Sequence, residues 1–198
     1  MTERIKAIET EYAGCRFRSR LEARWAVFFN ALGVRWEYEP QGYEGDGFRY
    51  LPDFWLPDFG IFAEVKGKMS AADLQKTMAA VPVLKEPSDG QISHQLLILG
   101  PVPAPGFAWC HHRLDLLAPN HIFMSSVLWD NYGGYFLRMY NQPVRLGTDY
   151  KWGSDENSMF FANALTDAVV AERVVVDPVV DNAYRAARSA RFEFGERG

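Results

Sequence analysis

The stretch that most constrains the fold is LPDFWLPDFGIFAEVKG, residues 51–67. FRYLPDFWL at 48–56 and IFAEVKG at 61–67 are each expected to form one strand, and they flank Pro-Asp-Phe-Gly at 57–60, which is typical of a tight turn. A hairpin centred on that turn places Asp53 directly opposite Glu64. Directly opposed residues have Cβ atoms ~4.5–5.5 Å apart, so the sequence predicts two carboxylates side by side.

Opposed carboxylates repel each other, and a divalent cation between them would remove the repulsion. Glu64 and Lys66 are two apart on a strand and therefore share its face, while Val65 points towards the core. Carboxylate oxygens with retained waters suit Mg²⁺ or Mn²⁺. Such a metal would hold a scissile phosphate and lower the pKa of a bound water, and Lys66 would orient that water or stabilise transition-state charge.

The alternative is a solvated charged face, since surface ion pairs are common and contribute little. Charge pairing would then favour Asp opposite Lys rather than Asp opposite Glu. Asp58 lies at the turn tip, too close in sequence to Glu64 to oppose it, and is interpreted as a turn former.

The remaining patterns predict an α/β fold, with a central mixed β-sheet flanked by helices. Apolar residues at helical spacing predict a helix over 19–33, capped by Ser19 and ended by Gly33. Alternation predicts a strand at 34–40, and 41–47 is expected to be a loop. A second helix is expected over 70–85, opened by Ser70 and bent or ended at Pro82. Strands are expected over 94–100 and within 107–118.

The chain is expected to divide into a core at 1–125 and an extension at 126–198. The segment 126–153 is rich in aromatics and glycine without a clear period. Residues 158–176 are expected to form a helix, or a helix running into a strand. Asp177-Pro178 is a helix-start signal, so the sequence predicts a helical C-terminal extension.

The predicted elements follow one another as a helix containing Glu22, a strand, the Pro52-Asp53 strand, the Glu64-Val65-Lys66 strand, a helix and a strand. This ordered set resembles the PD-(D/E)XK nuclease superfamily. The resemblance spans roughly residues 17–100, and FRSRLEARWAVFF, YEP, YLPDF and EVKG are similar to small phage-borne nucleases and transposon-end endonucleases. It implies a restriction-endonuclease-like core and metal-dependent hydrolysis of DNA. Asp53 and Glu64 would be ligands, Lys66 the catalytic lysine, and Glu22 the first-helix acid that completes the metal site.

Several residues have both a functional and a structural interpretation. Ser19 and Glu22 also fit a capping box, which needs no catalysis. Basic or polar side chains near the site would contact phosphates or be ordinary solvated groups: Arg18, Arg20, Arg24, Lys68, Gln75 and Lys76. The same two interpretations apply to Arg185, Arg188 and Arg191. The neighbouring Tyr184 and Phe192 are expected to serve the core or to stack on single strands.

The composition limits the class of protein. The net charge of −4 does not fit a generally basic nucleic-acid binder. The sequence has two cysteines, no secretory apolar segment and no apolar run near ~20 residues. These features predict a cytoplasmic protein without a membrane span. If the protein is phage-encoded, it is expected in the bacterial host cell. Zinc is disfavoured because no common spacing is matched by Cys110, His111, His112 and His121.

The function predicted is therefore a Mg²⁺- or Mn²⁺-dependent deoxyribonuclease acting on DNA. Two alternatives stay open. One is a catalytically silent nuclease fold that binds DNA or protein. The other is a nuclease subunit active only in a larger complex, with 126–153 as its docking surface. A protein partner or a homodimer is left open as well.

Overall fold

The computed structural model describes residues 8–45, 47–67, 70–87, 90, 93, 95–102, 111–115, 121–129, 135–145 and 178–192. The helices there are α1 (Arg20–Leu32), α2 (Ala71–Ala80) and α3 (Pro178–Ser189), with a short 3₁₀ turn at Val81–Val83. The strands are β1 (Thr10–Tyr12), β2 (Cys15–Phe17), β3 (Glu37–Tyr38), β4 (Tyr43–Gly45), β5 (Phe48–Tyr50), β6 (Phe54–Leu56), β7 (Ile61–Val65), β8 (Gln95–Leu99), β9 (His111–Asp115), β10 (His121–Trp129) and β11 (Tyr135–Arg145). None of these helices has the length and apolar composition needed to cross a membrane.

Seven strands form one mixed sheet in the order β11-β10-β9-β8-β7-β6-β3. The pair β7–β8 is parallel, and the other neighbours are antiparallel. A parallel pair needs a crossover, and α2 lies in the connection between the two strands. The mixed α/β architecture expected from the sequence is confirmed.

Strand β7 lies inside the sheet, third from the β3 edge, and is buried along its whole length. Alternate side chains of β6 and β7 reach opposite faces. On one face Phe54 and Ala63 pack beneath α1 and α3, and on the other Trp55 and Phe62 pack beneath α2 and the hairpin β4–β5. Helices therefore cover both faces, which is how a buried central strand is shielded from water.

The local signals around α1 and α2 are confirmed. The Ser19 side chain accepts a hydrogen bond from the Glu22 backbone N–H, and Gly33 ends α1 in the left-handed conformation (φ 71°) that glycine favours. Ser70 and Asp73 form a reciprocal capping box at α2. Pro82 lies in the 3₁₀ turn that follows α2.

Two expectations about strands are corrected. Residues 48–56 do not form one strand: β5 pairs with β4 in a separate hairpin, and β6 begins only at Phe54. Pro52 has no N–H to donate to a ladder, which explains the break. The segment expected to be a loop at 41–47 instead contributes β4, and the strand expected over 34–40 shrinks to Glu37–Tyr38.

The described parts of the C-terminal region share the sheet and the core with the rest of the described chain. The boundary expected after residue 125 falls inside β10, and β11 continues the same sheet. Helix α3 begins at Pro178, as expected, but Ala183, Tyr184 and Ala187 are buried in the same core as α1. Tyr184 stacks on Phe28, with ring centroids 4.5 Å apart. The prediction for 158–176 lies outside the described residues.

Candidate active site

The hairpin β6–β7 has the register expected from its turn. Phe54 pairs with Ala63 and Leu56 pairs with Ile61, so Asp53, one residue before β6, continues this register towards Glu64. The residues Asp53 and Glu64 are only 5% and 4% exposed. They are buried carboxylates rather than members of a solvated charged face.

Asp53 is held between the sheet and Arg18. Its Oδ2 accepts a hydrogen bond from the Val65 backbone N–H at 2.7 Å, and its Oδ1 lies 3.5 Å from the Arg18 guanidinium. Burial, followed by the negative charges of Glu64 and Glu22, raises the pKa of Asp53 well above its usual range. The carboxyl is therefore poorly compensated as an anion.

Glu64 divides its two oxygens between different donors. Oε1 lies 2.6 Å from Nζ of Lys66, and Oε2 accepts a hydrogen bond from the Tyr50 hydroxyl at 2.7 Å. Burial alone would lower the pKa of Lys66, but the charges of Glu64 and Asp53 outweigh it, and the pKa is raised. Lys66 is thus a cation here, suited to holding negative charge rather than accepting a proton.

Glu22 reaches the same site from the first turn of α1. Its Oε2 accepts hydrogen bonds from the Tyr38 hydroxyl at 2.6 Å and from the Arg18 backbone N–H at 3.0 Å, and its Oε1 accepts one from the Ser19 hydroxyl at 2.7 Å. Burial and the bond to Glu22 raise the pKa of Tyr38. Glu22 therefore hydrogen-bonds the residues that precede α1 and also places negative charge near Asp53.

These groups line one open cavity of about 600 Å³. The predicted residues that line it are Glu22, Asp53, Glu64, Lys66, Arg18 and Lys76. Arg20, Arg24 and Gln75 are described but lie outside that lining, and Lys68 lies outside the described residues. The structure thus brings the four proposed catalytic residues together with two of the proposed DNA contacts.

The donor set suits a hard divalent cation in its chemistry, because carboxylate oxygens are what Mg²⁺ and Mn²⁺ prefer. Within the ranges that the structure describes, however, no group of three or more His, Cys, Asp or Glu side chains is arranged to hold a metal ion. Each of the three carboxylates instead accepts a hydrogen bond from a donor group of the protein. A metal would have to exchange with some of these donors.

The sequence reasoning missed the residues that support these carboxylates. Tyr50 and Tyr38 hold Glu64 and Glu22, and Glu39 pairs with Arg18. Glu39 has a left-handed backbone (φ 46°), and its N–H donates to the Asp53 carbonyl. The run YEGDGFRY carried a signal, since two strand-like pieces around a Gly-Asp-Gly turn are typical of a hairpin.

Asp58 behaves as the predicted turn former. Its carboxylate accepts from the backbone N–H and the Nε of Arg35, both at 2.7 Å, on the surface away from the cavity. The residues considered for a zinc site lie on two strands. His111 and His112 are adjacent in β9, and His121 begins β10. Cys110 lies outside the described residues.

Comparisons with protein-family models, with curated proteins and with solved structures give no significant match.

Proposed function

We propose that this chain is a Mg²⁺- or Mn²⁺-dependent deoxyribonuclease that hydrolyses phosphodiester bonds. One observation carries the proposal: Asp53 and Glu64, both almost fully buried, converge beside Lys66 in an open cavity. Burying like charges together is costly. A surface that only binds DNA or protein does not need two buried carboxylates, whereas a divalent cation site needs them as ligands.

The proposed core is of the restriction-endonuclease type. Support comes from the order of elements: α1 with Glu22, then the antiparallel pair β6–β7 with Asp53 and Glu64, then α2 and the parallel strand β8. The ends of these elements meet at the cavity. The same region carries the motif on which the resemblance rests.

In this proposal Asp53 and Glu64 hold the divalent cation and Glu22 completes its surroundings. The cation, when bound, supplies charge neutralisation for the phosphate and a more acidic water. Lys66, kept protonated by its acidic neighbours, stabilises charge on the phosphate and orients the attacking water. Arg18 and Lys76 provide positive charge for the flanking phosphates. Water adds to phosphorus, one P–O ester bond breaks, and one hydrogen of the water ends on the leaving sugar oxygen, which becomes a hydroxyl.

One observation favours the alternative of a silent binding module. All three carboxylates already have partners within the protein, so the described site is satisfied without a cation. That arrangement would suit a fold that binds DNA without cutting it. The two functions differ in one measurable property, which is metal-dependent cleavage.

Cleavage of supercoiled plasmid and of labelled single- and double-stranded oligonucleotides, in Mg²⁺, Mn²⁺ or EDTA, tests the proposal. We expect metal-dependent cutting by the wild type, loss of cutting in Asp53→Ala and Lys66→Ala, and retention in Asp58→Ala, whose carboxylate lies outside the cavity. Tight DNA binding without cutting by the pure wild type would favour the binding module. Neither cutting nor binding would favour a subunit that needs a partner.

A further inference from the structure

The Glu64 carboxylate is held by two donors of different kinds. Oε2 accepts from the Tyr50 hydroxyl, which belongs to the hairpin β4–β5, and Oε1 faces the Lys66 ammonium at the end of β7. Tyr50 is 5% exposed and Glu64 4% exposed. The Lys66 side chain is 32% exposed. Both donors line the cavity, but the Tyr50 contact is buried and the Lys66 side chain is the more exposed of the two.

Tyr50 is itself fixed by its strand and by its ring. Its strand β5 pairs with β4, which places Tyr43 directly opposite, and its ring packs in the apolar cluster with Trp55 and Phe62. A neutral donor packed in this way keeps its position, whereas the longer and more exposed Lys66 side chain can change partners.

We propose that Tyr50 is a positioning residue that fixes Oε2 of Glu64 and leaves Oε1 as the oxygen that exchanges between Lys66 and a divalent cation. This inference rests on the proposed function. If a cation took Oε1, the Lys66 ammonium would be free to contact the substrate phosphate. Without the Tyr50 hydroxyl, the Glu64 carboxylate would lose the buried donor that fixes its orientation.

The test measures the melting temperature of the metal-free protein and its rise with added Mn²⁺ alone, for the wild type and Tyr50→Phe. Partners that orient a metal ligand typically contribute about 10–100-fold in metal affinity. We expect the Mn²⁺ concentration that gives half of the stabilisation to rise by about that factor in Tyr50→Phe. A purely structural role would lower the metal-free melting temperature without moving that concentration.

Tyr43→Phe is the matched control, since it removes the other buried tyrosine hydroxyl of the same hairpin. That hydroxyl donates to the Lys85 carbonyl rather than to Glu64, so its Mn²⁺ response should equal that of the wild type. If Tyr50→Phe does not fold, Tyr50→Met replaces it, since it also lacks the hydroxyl, and the same rise is expected.

The outcomes distinguish the positioning role of Tyr50 from the proposed metal site. An unchanged Mn²⁺ midpoint in the folded Tyr50 variant, with clear stabilisation of the wild type, overturns the positioning role and leaves the metal site standing. If Mn²⁺ at no concentration stabilises the wild type, the proposed function and this inference are both overturned.

Discussion

At the scale of single residues, the dominant feature is an acid that the fold holds at an energetic cost. Asp53 is buried near Glu64 and Glu22, and its pKa is raised by burial and by their charges. A carboxyl whose pKa rises on folding stabilises the fold while protonated. That contribution is complete below the unfolded pKa of ~3.9 and is lost as the pH rises through the folded value.

Replacement of Asp53 by Asn should therefore stabilise the metal-free protein at neutral pH while abolishing cleavage. Each kcal/mol of relieved repulsion corresponds to about 2–4 °C in melting temperature for a chain of this size. Melting curves from pH 4 to 8 should show the variant's advantage growing with pH. A variant less stable than the wild type at pH 7 would contradict this account of Asp53.

Replacement of Lys66 by Met tests the division of labour between lysine and carboxylates. The apolar side chain keeps the length but removes the charge beside Oε1 of Glu64. We expect the cleavage rate to fall about 10²–10³-fold, as for loss of one transition-state donor, without weaker Mn²⁺ binding. Single-turnover cleavage and Mn²⁺ titration measure the two effects. A wild-type rate would exclude Lys66 from the chemistry.

At the scale of elements, local signals were sufficient where turn and cap chemistry decide the structure. Ser19, Gly33, Ser70 and the 57–60 turn each acted as the sequence predicted, and the turn set the register of β6–β7. This explains why the closeness of Asp53 and Glu64, with Lys66 on the same strand face, could be predicted from sequence. Their positions depend on a single hairpin.

Contacts between elements were not available from local patterns. The sequence suggested one long strand that contains both Tyr50 and Asp53. Residues three apart on a strand point to opposite faces, so Tyr50 was expected to point away from Asp53. The break at Pro52 instead brings Tyr50 to Glu64. Glu39 and Tyr38 likewise contribute through Arg18 and Glu22, which are distant in sequence, so no period could reveal them.

Helix α3 provides a test at this scale, because sequence left Tyr184 between a core role and a DNA-stacking role. Tyr184 is buried against Phe28 and Trp25, and truncation of a buried aromatic costs about 3–5 kcal/mol. Tyr184→Ala should lower the free energy of unfolding by that amount in urea titrations. Arg185→Ala, which removes only an exposed pair with Asp181, should change it by under about 1 kcal/mol. Equal stabilities for the two variants would contradict the core role.

At the scale of the whole molecule, charge sets the conditions under which an anionic substrate can enter. The chain carries a net charge of −4, and the described lining of the cavity has five acidic and four basic side chains. Without a cation, DNA would meet a cavity with no excess of positive charge. A bound divalent cation would supply that excess.

DNA binding should accordingly depend on divalent cations. Ca²⁺ takes oxygen ligands like Mg²⁺. Fluorescence anisotropy of a labelled oligonucleotide should show binding about 10-fold or more weaker in EDTA than in Ca²⁺, a difference of ~1.4 kcal/mol. Asp53→Asn should bind DNA equally in both conditions. Wild-type affinity that is the same in EDTA and Ca²⁺ would place the DNA surface elsewhere on the molecule.

The central claim is that the buried carboxylates Asp53 and Glu64 form a divalent cation site. Calorimetric titration of Mn²⁺ into the wild type and Asp53→Asn, both shown to be folded, tests it most directly. The account predicts saturable binding by the wild type that is absent in the variant. No binding by the wild type, or the same binding by both proteins, would contradict it.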